Sequence, residues 1–190
     1  HDMPRMDASD AGFIDAHNWL FTARGIPVIY YGSEIGFMRG AGEHEGNRNY
    51  FGQDRVDAAA AHPVRQQLAR IARLRAATPA LQRGLQLNVQ LEGDRAAFYR
   101  VLQHGGQAQV ALVLLNKGDV PAPFEVRDYL QAGTWRDALD GGVLAVAEGG
   151  SLAATVPAHG VRVFVLDAPV RDGGLAAALD GAMARARRGD

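Results

Sequence analysis

Residues Gly25–Glu34 have the sequence GIPVIYYGSE, a continuous run of apolar β-branched and aromatic residues that ends in a glycine. A strand without polar alternation is typical of a parallel sheet that helices cover on both faces. Pro27 is compatible with a strand because it falls at the start of the run. The stretch therefore predicts a buried strand over residues 26–31.

Two helical patterns flank this run. Apolar residues recur at helical spacing over residues 8–24, where either Asp7 or Ser9 is a candidate N-cap. A second helical pattern covers residues 63–77, with Pro63 suited to its first turn. A long, polar, glycine-rich loop separates the apolar run from this second helix. The order of helix, buried strand, loop and helix predicts the closing unit of an alternating β/α architecture.

From residue 84 onward, the apolar periodicity changes to the two-residue alternation of strands. The first of these strands is predicted to point four side chains inward: Leu85, Leu87, Val89 and Leu91. Further short apolar segments, separated by glycine-rich turns, continue to residue 166 and predict an antiparallel sandwich with Trp135 in its core. The domain boundary is predicted near residues 79–84.

The composition is that of an ordinary globular protein. The 190 residues include 47% hydrophobic and 22% charged side chains, and the formal net charge is −1. This charge gives no electrostatic basis for binding nucleic acid or an acidic membrane surface. The chain contains no cysteine, and its six histidines show no metal-ligand spacing. No apolar run reaches the roughly 18 to 20 residues that cross a bilayer.

The chain begins with His1 and Asp2, and a second polar cluster extends from Glu34 to Arg48. In β/α architectures, chemistry gathers at the C-terminal ends of the strands and in the loops that follow them. His1 and Asp2 would end a preceding strand, so both clusters are expected on the same face. The alternative is that a terminal His-Asp pair is merely a disordered end.

These stretches together resemble the C-terminal part of glycoside hydrolase family 13, the α-amylase superfamily. In that family an Asn-His-Asp motif closes the seventh barrel strand, and this chain begins at the His of such a motif. The eighth strand has the pattern G-[IV]-P-x-[IV]-Y-Y-G-x-E, which residues 25–34 match throughout. The Asn47-Arg48 pair and the stretch DALDGG over residues 137–142 fit cyclodextrin glucanotransferases and related bacterial α-amylases. The resemblance covers residues 1–168.

The resemblance implies an α/β plus all-β fold, in which the last segment of a TIM (β/α)8 barrel is followed by an antiparallel β-sandwich. Residues 1–80 would form the incomplete C-terminal end of the catalytic barrel, and residues 84–168 the sandwich domain. Residues 169–190 form an Ala/Arg-rich tail, expected to be either a loose helix or a disordered segment, and no function is assigned to it.

The resemblance also implies a catalytic role for the first two residues. Asp2 takes the place of the family's third carboxylate, which stabilises the transition state, and His1 that of a hydrogen-bond donor to a substrate hydroxyl. Retaining glycosidases also need a nucleophile and an acid/base carboxyl about 5 Å apart. The family carries those two groups upstream, and no residue here matches their motifs. The chain therefore begins inside a catalytic motif, and alone it is expected to be inactive.

Three residues are candidate substrate-binding positions by the same resemblance: Arg48, Asn47 and His44. Arg48 suits forked hydrogen bonds to vicinal sugar hydroxyls, with a structural ion pair as the alternative. His44 lies where relatives often carry an aspartate that contacts substrate, and this departure puts that contact in doubt. Glu34 is interpreted as a framework residue that fixes the strand end.

Several other side chains are interpreted as part of the core or of a loop. Tyr30 and Tyr31 are predicted to be core residues rather than stacking platforms. His17 faces the apolar side of its helix and is predicted to be a core histidine with satisfied hydrogen bonds. Tyr50 and Phe51 lie on a loop and could stack on sugars.

The implied parent is a retaining enzyme that cleaves or transfers α-1,4-glucosidic bonds in starch, maltooligosaccharides or cyclodextrins. Its partners are the α-glucan and the missing N-terminal part of the same enzyme, with neither nucleic acid nor a membrane. No cofactor and no metal are expected in this stretch, although calcium is possible in the intact parent, which is expected to be secreted or periplasmic. The residues that decide between hydrolysis and transfer lie mostly upstream.

Two other functions compete with the enzyme. The chain could be a stand-alone carbohydrate-binding or structural β-sandwich module, or an interaction protein that uses the sandwich to hold a partner. A binding module has no need of the His1-Asp2 pair or of the Asn47-Arg48 loop, so these residues favour the enzyme.

Overall fold

The computed structural model describes residues 3–46 and 48–188. The helices are α1 (Asp10–Thr22), a short 3-10 helix (Ser33–Ile35), α2 (Gln53–Ala59), α3 (Pro63–Ala77), α4 (Pro79–Arg83) and α5 (Gly173–Arg188). The strands are β1 (Leu85–Glu92), β2 (Arg95–His104), β3 (Gln107–Asn116), β4 (Ala122–Val126), β5 (Gly133–Asp137), β6 (Val143–Val146), β7 (Leu152–Val156) and β8 (Gly160–Leu166). None of the helices in this described part has both the length and the apolar content that crossing a membrane requires.

The two helices predicted in the first third are confirmed. α1 begins after Ser9, whose Oγ accepts a hydrogen bond from the Gly12 amide at 3.1 Å. Ser9 rather than Asp7 is therefore the N-cap. α3 spans Pro63–Ala77 with its proline in the first turn, where the missing N–H costs no helical hydrogen bond.

The prediction of a buried strand over residues 26–31 is wrong. This segment forms neither strand nor helix, and none of the described strands pairs with it. Ile26 is 89% exposed and Val28 is 76% exposed. A buried strand needs neighbouring strands that pair with its backbone and cover for both of its faces. Among the described residues no strand pairs with this segment, and Ile26 and Val28 are left in solvent.

The prediction that residues 85–166 are mostly antiparallel sheet is confirmed. Six strands form one sheet in the order β1-β2-β3-β8-β5-β6, and β4 pairs with β7 in a second sheet. All pairs among the described strands are antiparallel. The two sheets share a buried core that includes Tyr99, Phe124, Leu152 and, as predicted, the fully buried Trp135.

The six-stranded sheet is covered on its second face as well. Phe98 and Val163 are fully buried there, in one cluster with Ile71 and Leu74 of α3. This double cover explains why β2, β3 and β8 contain almost continuous buried runs although their sheet is antiparallel. The helices of the first third and the sheet therefore form one packed unit.

The first strand departs from the predicted alternation at its end. Its pairing with β2 shifts between Asn88 and Gln90, which is a β-bulge. Leu85 and Leu87 face the core between the sheets as predicted, but Leu91 is 54% exposed. The extra residue moves Leu91 to the opposite face, the one that α1 covers, so the prediction for this residue is wrong.

Two buried arginines hold the C-terminal end of α1 against its neighbours. Arg100 of β2 is 1% exposed and donates to the Thr22 carbonyl at 2.6 Å and to the Gly84 carbonyl at 3.0 Å. Arg75 of α3 donates to the Gly25 carbonyl at 2.6 Å. Burial, reinforced by neighbouring arginines, lowers the pKa of Arg100 to about 10, so the guanidinium stays charged at neutral pH.

A histidine joins α1 to the loops of the sandwich. His159 Nδ1 lies 2.8 Å from Asp15 Oδ2 of α1, and His159 Nε2 lies 3.0 Å from Asp119 Oδ1 in the loop between β3 and β4. The hydrogen bond to Asp15, supported by Asp119, raises the pKa of His159 against the effect of burial. Burial raises the pKa of Asp15, and the bond to His159 opposes that rise.

The described part of the tail is a helix, α5, and not a disordered segment. The Asp172 carboxylate accepts a hydrogen bond from the Leu175 amide at 2.7 Å near its start. Leu175 is fully buried and Leu179 is 9% exposed, both in the core between the two sheets. The tail thus completes the sandwich core, a role that the sequence did not reveal. The short elements α2 and β6 were not predicted either.

Candidate functional site

Three candidate site residues, His1, Asp2 and Asn47, lie outside the described residues. The described part of the candidate site consists of the residues that adjoin these three in sequence. These are the segment that follows Asp2 and the two sides of the loop that contains Asn47.

Arg5 links the segments that carry the candidate residues. Its Nε donates to the Gly46 carbonyl at 2.7 Å, and its Nη1 donates to the Tyr31 carbonyl at 2.6 Å. Its backbone amide donates to the Ala41 carbonyl at 2.9 Å. One residue thus connects the first part of the chain both to the end of the apolar run and to the loop beyond it.

Aromatic rings surround the guanidinium of Arg5, and we call Arg5, Tyr30, Tyr31 and Phe37 the Arg5 cage. The Arg5 Cζ atom lies 4.6 Å from the ring centroids of Tyr30 and Tyr31 and 5.5 Å from that of Phe37. These distances are typical of cation–π contacts. The rings also shield the guanidinium from water, since Arg5 is only 8% exposed.

The prediction that Tyr30 and Tyr31 are core residues is wrong. They are 39% and 37% exposed, because the segment that carries them is not covered by other strands. Their rings contact the Arg5 guanidinium and meet each other edge to face at 4.8 Å. Both tyrosines therefore belong to the surface structure of the site.

Tyr31 also holds the far side of the loop. Its hydroxyl donates to the Asn49 carbonyl at 2.9 Å. The ring of Phe51 packs edge to face on Phe37, with centroids 5.1 Å apart, and so extends the Arg5 cage. Tyr50 is 85% exposed and presents its ring to solvent. Of the two loop aromatics, Tyr50 is thus the one placed to stack on a ligand.

Arg48 and His44 are exposed on this same loop. The His44 side chain is 85% exposed, and its Nε2 lies 3.6 Å from Glu43 Oε1. Contacts made by Arg5 to the Gly46 carbonyl and by Tyr31 to the Asn49 carbonyl hold the loop on both sides of Asn47. Both candidate side chains are accessible to a ligand from solvent.

Glu34 interacts with the scaffold from its position in the 3-10 helix. Its charge acts on His17 of α1, whose pKa is lowered by burial, with Glu34 opposing that shift. His17 is 4% exposed, which confirms it as a core residue. Its buried Nδ1, however, has no hydrogen-bond partner among the described residues, so the prediction of a fully satisfied histidine is wrong.

The described residues offer groups for binding and orientation rather than a metal centre. Within residues 3–46 and 48–188, no three His, Asp or Glu side chains are arranged to hold a metal ion. The exposed guanidinium of Arg48 and ring of Tyr50 can instead donate hydrogen bonds and stack on a flat apolar face.

Sequence reasoning did not identify Arg5 as part of the site. The residue lies in MPRMD, a stretch with no periodicity, and its contacts reach 26 and 41 residues along the chain. The pair of adjacent tyrosines was a possible signal, since aromatic faces attract guanidinium groups. Only the fold shows that Arg5 is the arginine that packs on these two tyrosine rings.

No protein-family model matches the sequence. A curated α-amylase from Streptomyces lividans is 33% identical to it, over 52% of this chain and 14% of that protein. The chain thus spans about a seventh of the length of this curated relative.

Solved structures share the fold. An α-amylase from Geobacillus thermoleovorans in complex with acarbose is 23% identical, with a TM-score of 0.65 over 82% of this chain and 33% of that one. A cyclomaltodextrin glucanotransferase with a three-domain ABC distribution is 26% identical, with a TM-score of 0.61 over 88% of this chain and 36% of that one.

The curated relative and the solved structures are similar to this chain over only a part of their own length. By name they are α-amylases and cyclomaltodextrin glucanotransferases. These similarities point to the C-terminal part of glycoside hydrolase family 13, the α-amylase family.

Proposed function

We propose that the chain is the C-terminal portion of a retaining α-glucan-active enzyme, of the α-amylase or cyclodextrin glucanotransferase type. In this proposal residues 1–80 are the last segment of a (β/α)8 barrel, and residues 84–168 are the sandwich domain that follows it. The observation that carries the proposal is the position of Arg5. Arg5 ties the segment that begins at Met3 to the Gly46 carbonyl in the loop and to the Tyr31 carbonyl, which supports the proposal that both candidate clusters belong to one site.

The exposed segment 26–31 supports the barrel part of the proposal. Its side chains are apolar and β-branched, yet Ile26 and Val28 are largely in solvent. Exposed apolar surface of this kind is a liability unless other parts of the protein cover it. The rest of a barrel would supply that cover and turn the segment into the buried strand that its sequence favours.

In the proposed reaction, Asp2 supplies negative charge to the transition state. Retaining glycosidases pass through an oxocarbenium-like state, and a fixed carboxylate near the sugar ring stabilises its positive charge. His1 donates a hydrogen bond to a hydroxyl of the same ring, a contact that strengthens as the ring flattens. The nucleophile and the acid/base come from the remainder of the enzyme.

Substrate binding is proposed for the loop that Arg5 and Tyr31 hold. Arg48 and Asn47 would donate hydrogen bonds to hydroxyls of glucose residues, and Tyr50 would stack on a sugar face. His44 is exposed beside them and is the weaker candidate. The Geobacillus relative was solved with acarbose bound, which supports an α-glucan as the ligand class. We further propose that the intact enzyme is secreted or periplasmic and that any calcium it holds is bound outside this stretch.

The test measures reducing ends released from soluble starch. The 190-residue chain alone should release none, because the nucleophile and the general acid are elsewhere. In the intact enzyme that contains this chain, Asp2→Asn should lower turnover at least several hundredfold, about 3 to 4 kcal/mol of transition-state stabilisation. The exposed Asp7 lies five residues further on, and Asp7→Asn is the matched control, expected to leave turnover unchanged.

Two outcomes would contradict the proposal. One is turnover by the chain alone that survives repurification, since the catalytic carboxylates would then lie within it. The other is an Asp2→Asn enzyme as active as the Asp7→Asn control, since Asp2 would then have no role in the reaction.

A further inference from the structure

A cavity of about 430 Å³ opens between α1 and the hairpin that connects β1 to β2. Its walls are mainly apolar, and a few charged side chains lie along them. The residues that matter for its chemistry are Asp15, Trp19, Leu91, Glu92, Asp94 and Lys117. Small-molecule sites are typically concave, largely apolar and about 300 to 1,000 Å³ in volume, with a few polar groups that orient the ligand. This cavity fits that description.

Trp19 gives the cavity a fixed aromatic surface. Its ring meets the fully buried Phe98 edge to face, with centroids 5.5 Å apart and an interplanar angle of 69°. This contact holds one side of the indole, yet Trp19 is still 42% exposed. Leu91 lies in the same cavity, because the β-bulge turns it to this face of the sheet. A rigid indole beside an aliphatic wall suits a ligand with a flat apolar face.

The charged groups of the cavity can both accept and donate hydrogen bonds. Asp94 and Lys117 are more than half exposed, and Lys117 Nζ lies 3.4 Å from Asp94 Oδ1. The side chain of Asp15 is bound to His159 through Oδ2, which leaves Oδ1 as an acceptor. With the acidic Asp15, Glu92 and Asp94 in its lining, the cavity is unsuited to phosphate groups. Neutral hydroxyl groups match this mixture of acceptors and a donor.

We propose that this cavity binds a glucose residue of an α-glucan, with one face of the sugar on Trp19 and its hydroxyls on Asp94 and Lys117. A pyranose ring has an apolar C–H face and a rim of hydroxyls, which are the two features that the cavity complements. The inference rests on the proposed function, because that function supplies α-glucan as the ligand class. It adds a second place at which this chain holds the glucan.

The two tryptophans of the chain make a direct binding assay possible. Trp135 is fully buried in the sandwich core, whereas Trp19 lies in the cavity, so a ligand-induced change in emission reports on Trp19. Titration of the 190-residue chain with maltoheptaose should give a saturable change with a dissociation constant of about 1 mM. Cellotetraose, which has β-linkages, should give at least a tenfold weaker response by the same arithmetic.

Two variants and a control test whether maltoheptaose binds in this cavity. Titration calorimetry measures the affinity of each. Trp19→Ala should weaken maltoheptaose binding by about tenfold or more. Asp94→Ala, an exposed change in the hairpin turn that keeps Trp19 in place, should weaken it about three- to tenfold. Asp180→Ala removes an exposed carboxylate from α5 and should leave the affinity unchanged.

Binding that is absent at about 50 mM maltoheptaose, far above the expected constant, would overturn the inference. Equal affinity for cellotetraose, or full affinity in folded Asp94→Ala and Trp19→Ala, would also overturn it. The activity assay of Asp2→Asn is independent of these measurements. A chain that binds maltoheptaose at Trp19 in an enzyme indifferent to Asp2→Asn would refute the catalytic proposal and leave the cavity assignment standing.

Discussion

At the scale of single residues, Arg5 shows how one side chain can organise a site by its shape as well as its charge. Its planar guanidinium donates to two carbonyls and lies against the rings of the Arg5 cage. A lysine would keep the charge but could neither fork between the two carbonyls nor stack flat on a ring. The role of Arg5 therefore depends on the shape of its side chain as well as on its charge.

We expect Arg5→Lys to lower the free energy of unfolding of the chain by about 1 to 3 kcal/mol, through lost charge-assisted hydrogen bonds and cation–π contacts. Urea denaturation followed by tryptophan emission measures this change. Arg127, paired with Glu125 on the surface and 64% exposed, provides the control, because Arg127→Lys should cost less than about 0.5 kcal/mol. Equal midpoints for the two variants would show that the Arg5 cage contributes no stability.

At the scale of elements, α1 is joined to the sandwich by groups that respond differently to pH. Arg75 and Arg100 contact backbone carbonyls, and Arg100, with a pKa of about 10, stays charged at neutral pH. His159, in contrast, lies between the carboxylates of Asp15 and Asp119, with Lys117 acting on Asp15 from nearby. The hydrogen bonds to Asp15 and Asp119 raise the pKa of His159, so the histidine joint is the part of the interface that depends on protonation of an imidazole.

The pH dependence follows from the raised pKa of His159. Folding favours the protonated imidazole, so its stabilisation is complete below the unfolded value of about 6.5 and is lost as the pH rises through the higher folded value. The stability difference between wild type and His159→Gln should hence be larger at about pH 6 than at about pH 9. Thermal unfolding at both pH values measures it, with His104→Gln at the exposed end of β2 as the control. A pH-independent difference would refute the ion-pair interpretation.

The elements that sequence reasoning located correctly are those set by local pattern. α1 and α3 follow from helical periodicity, a serine N-cap and a proline in the first turn. Segment 26–31 was misjudged because β-branched residues favour a strand but do not form one alone. A strand also needs neighbouring strands to pair with, and none of the described strands pairs with this segment. Leu91 was misplaced by a one-residue bulge, which no alternation pattern reveals. The Arg5 cage joins residues far apart in sequence, so it could be found only from the fold.

At the scale of the whole molecule, the six-stranded sheet is the central layer, and the other elements pack on its two faces. Helices of the first third cover one face, while the β4–β7 sheet and α5 cover the other. The tail helix is part of this second cover, since Leu175 is fully buried beside strand residues. The tail, to which the sequence assigned no function, therefore contributes to the stability of the sandwich.

We expect Leu175→Ala to destabilise the chain by about 2 to 5 kcal/mol, because it removes a fully buried side chain and leaves a cavity. Met183 lies on the same helix and is 40% exposed, so Met183→Ala should cost less than about 1 kcal/mol. Calorimetric unfolding of both variants provides the comparison. Similar values for the two would mean that α5 is only loosely attached to the core.

The arginine joint at the end of α1 has a consequence for the construction of chimeras. Arg100 reaches the carbonyls of Thr22 and Gly84, and every amino acid carries a carbonyl. The joint therefore demands an arginine on one side and only a correctly shaped backbone on the other. A sandwich grafted from a distant homologue needs to bring its own counterpart of Arg100, and this joint itself requires of the receiving helix only that it ends at the same place.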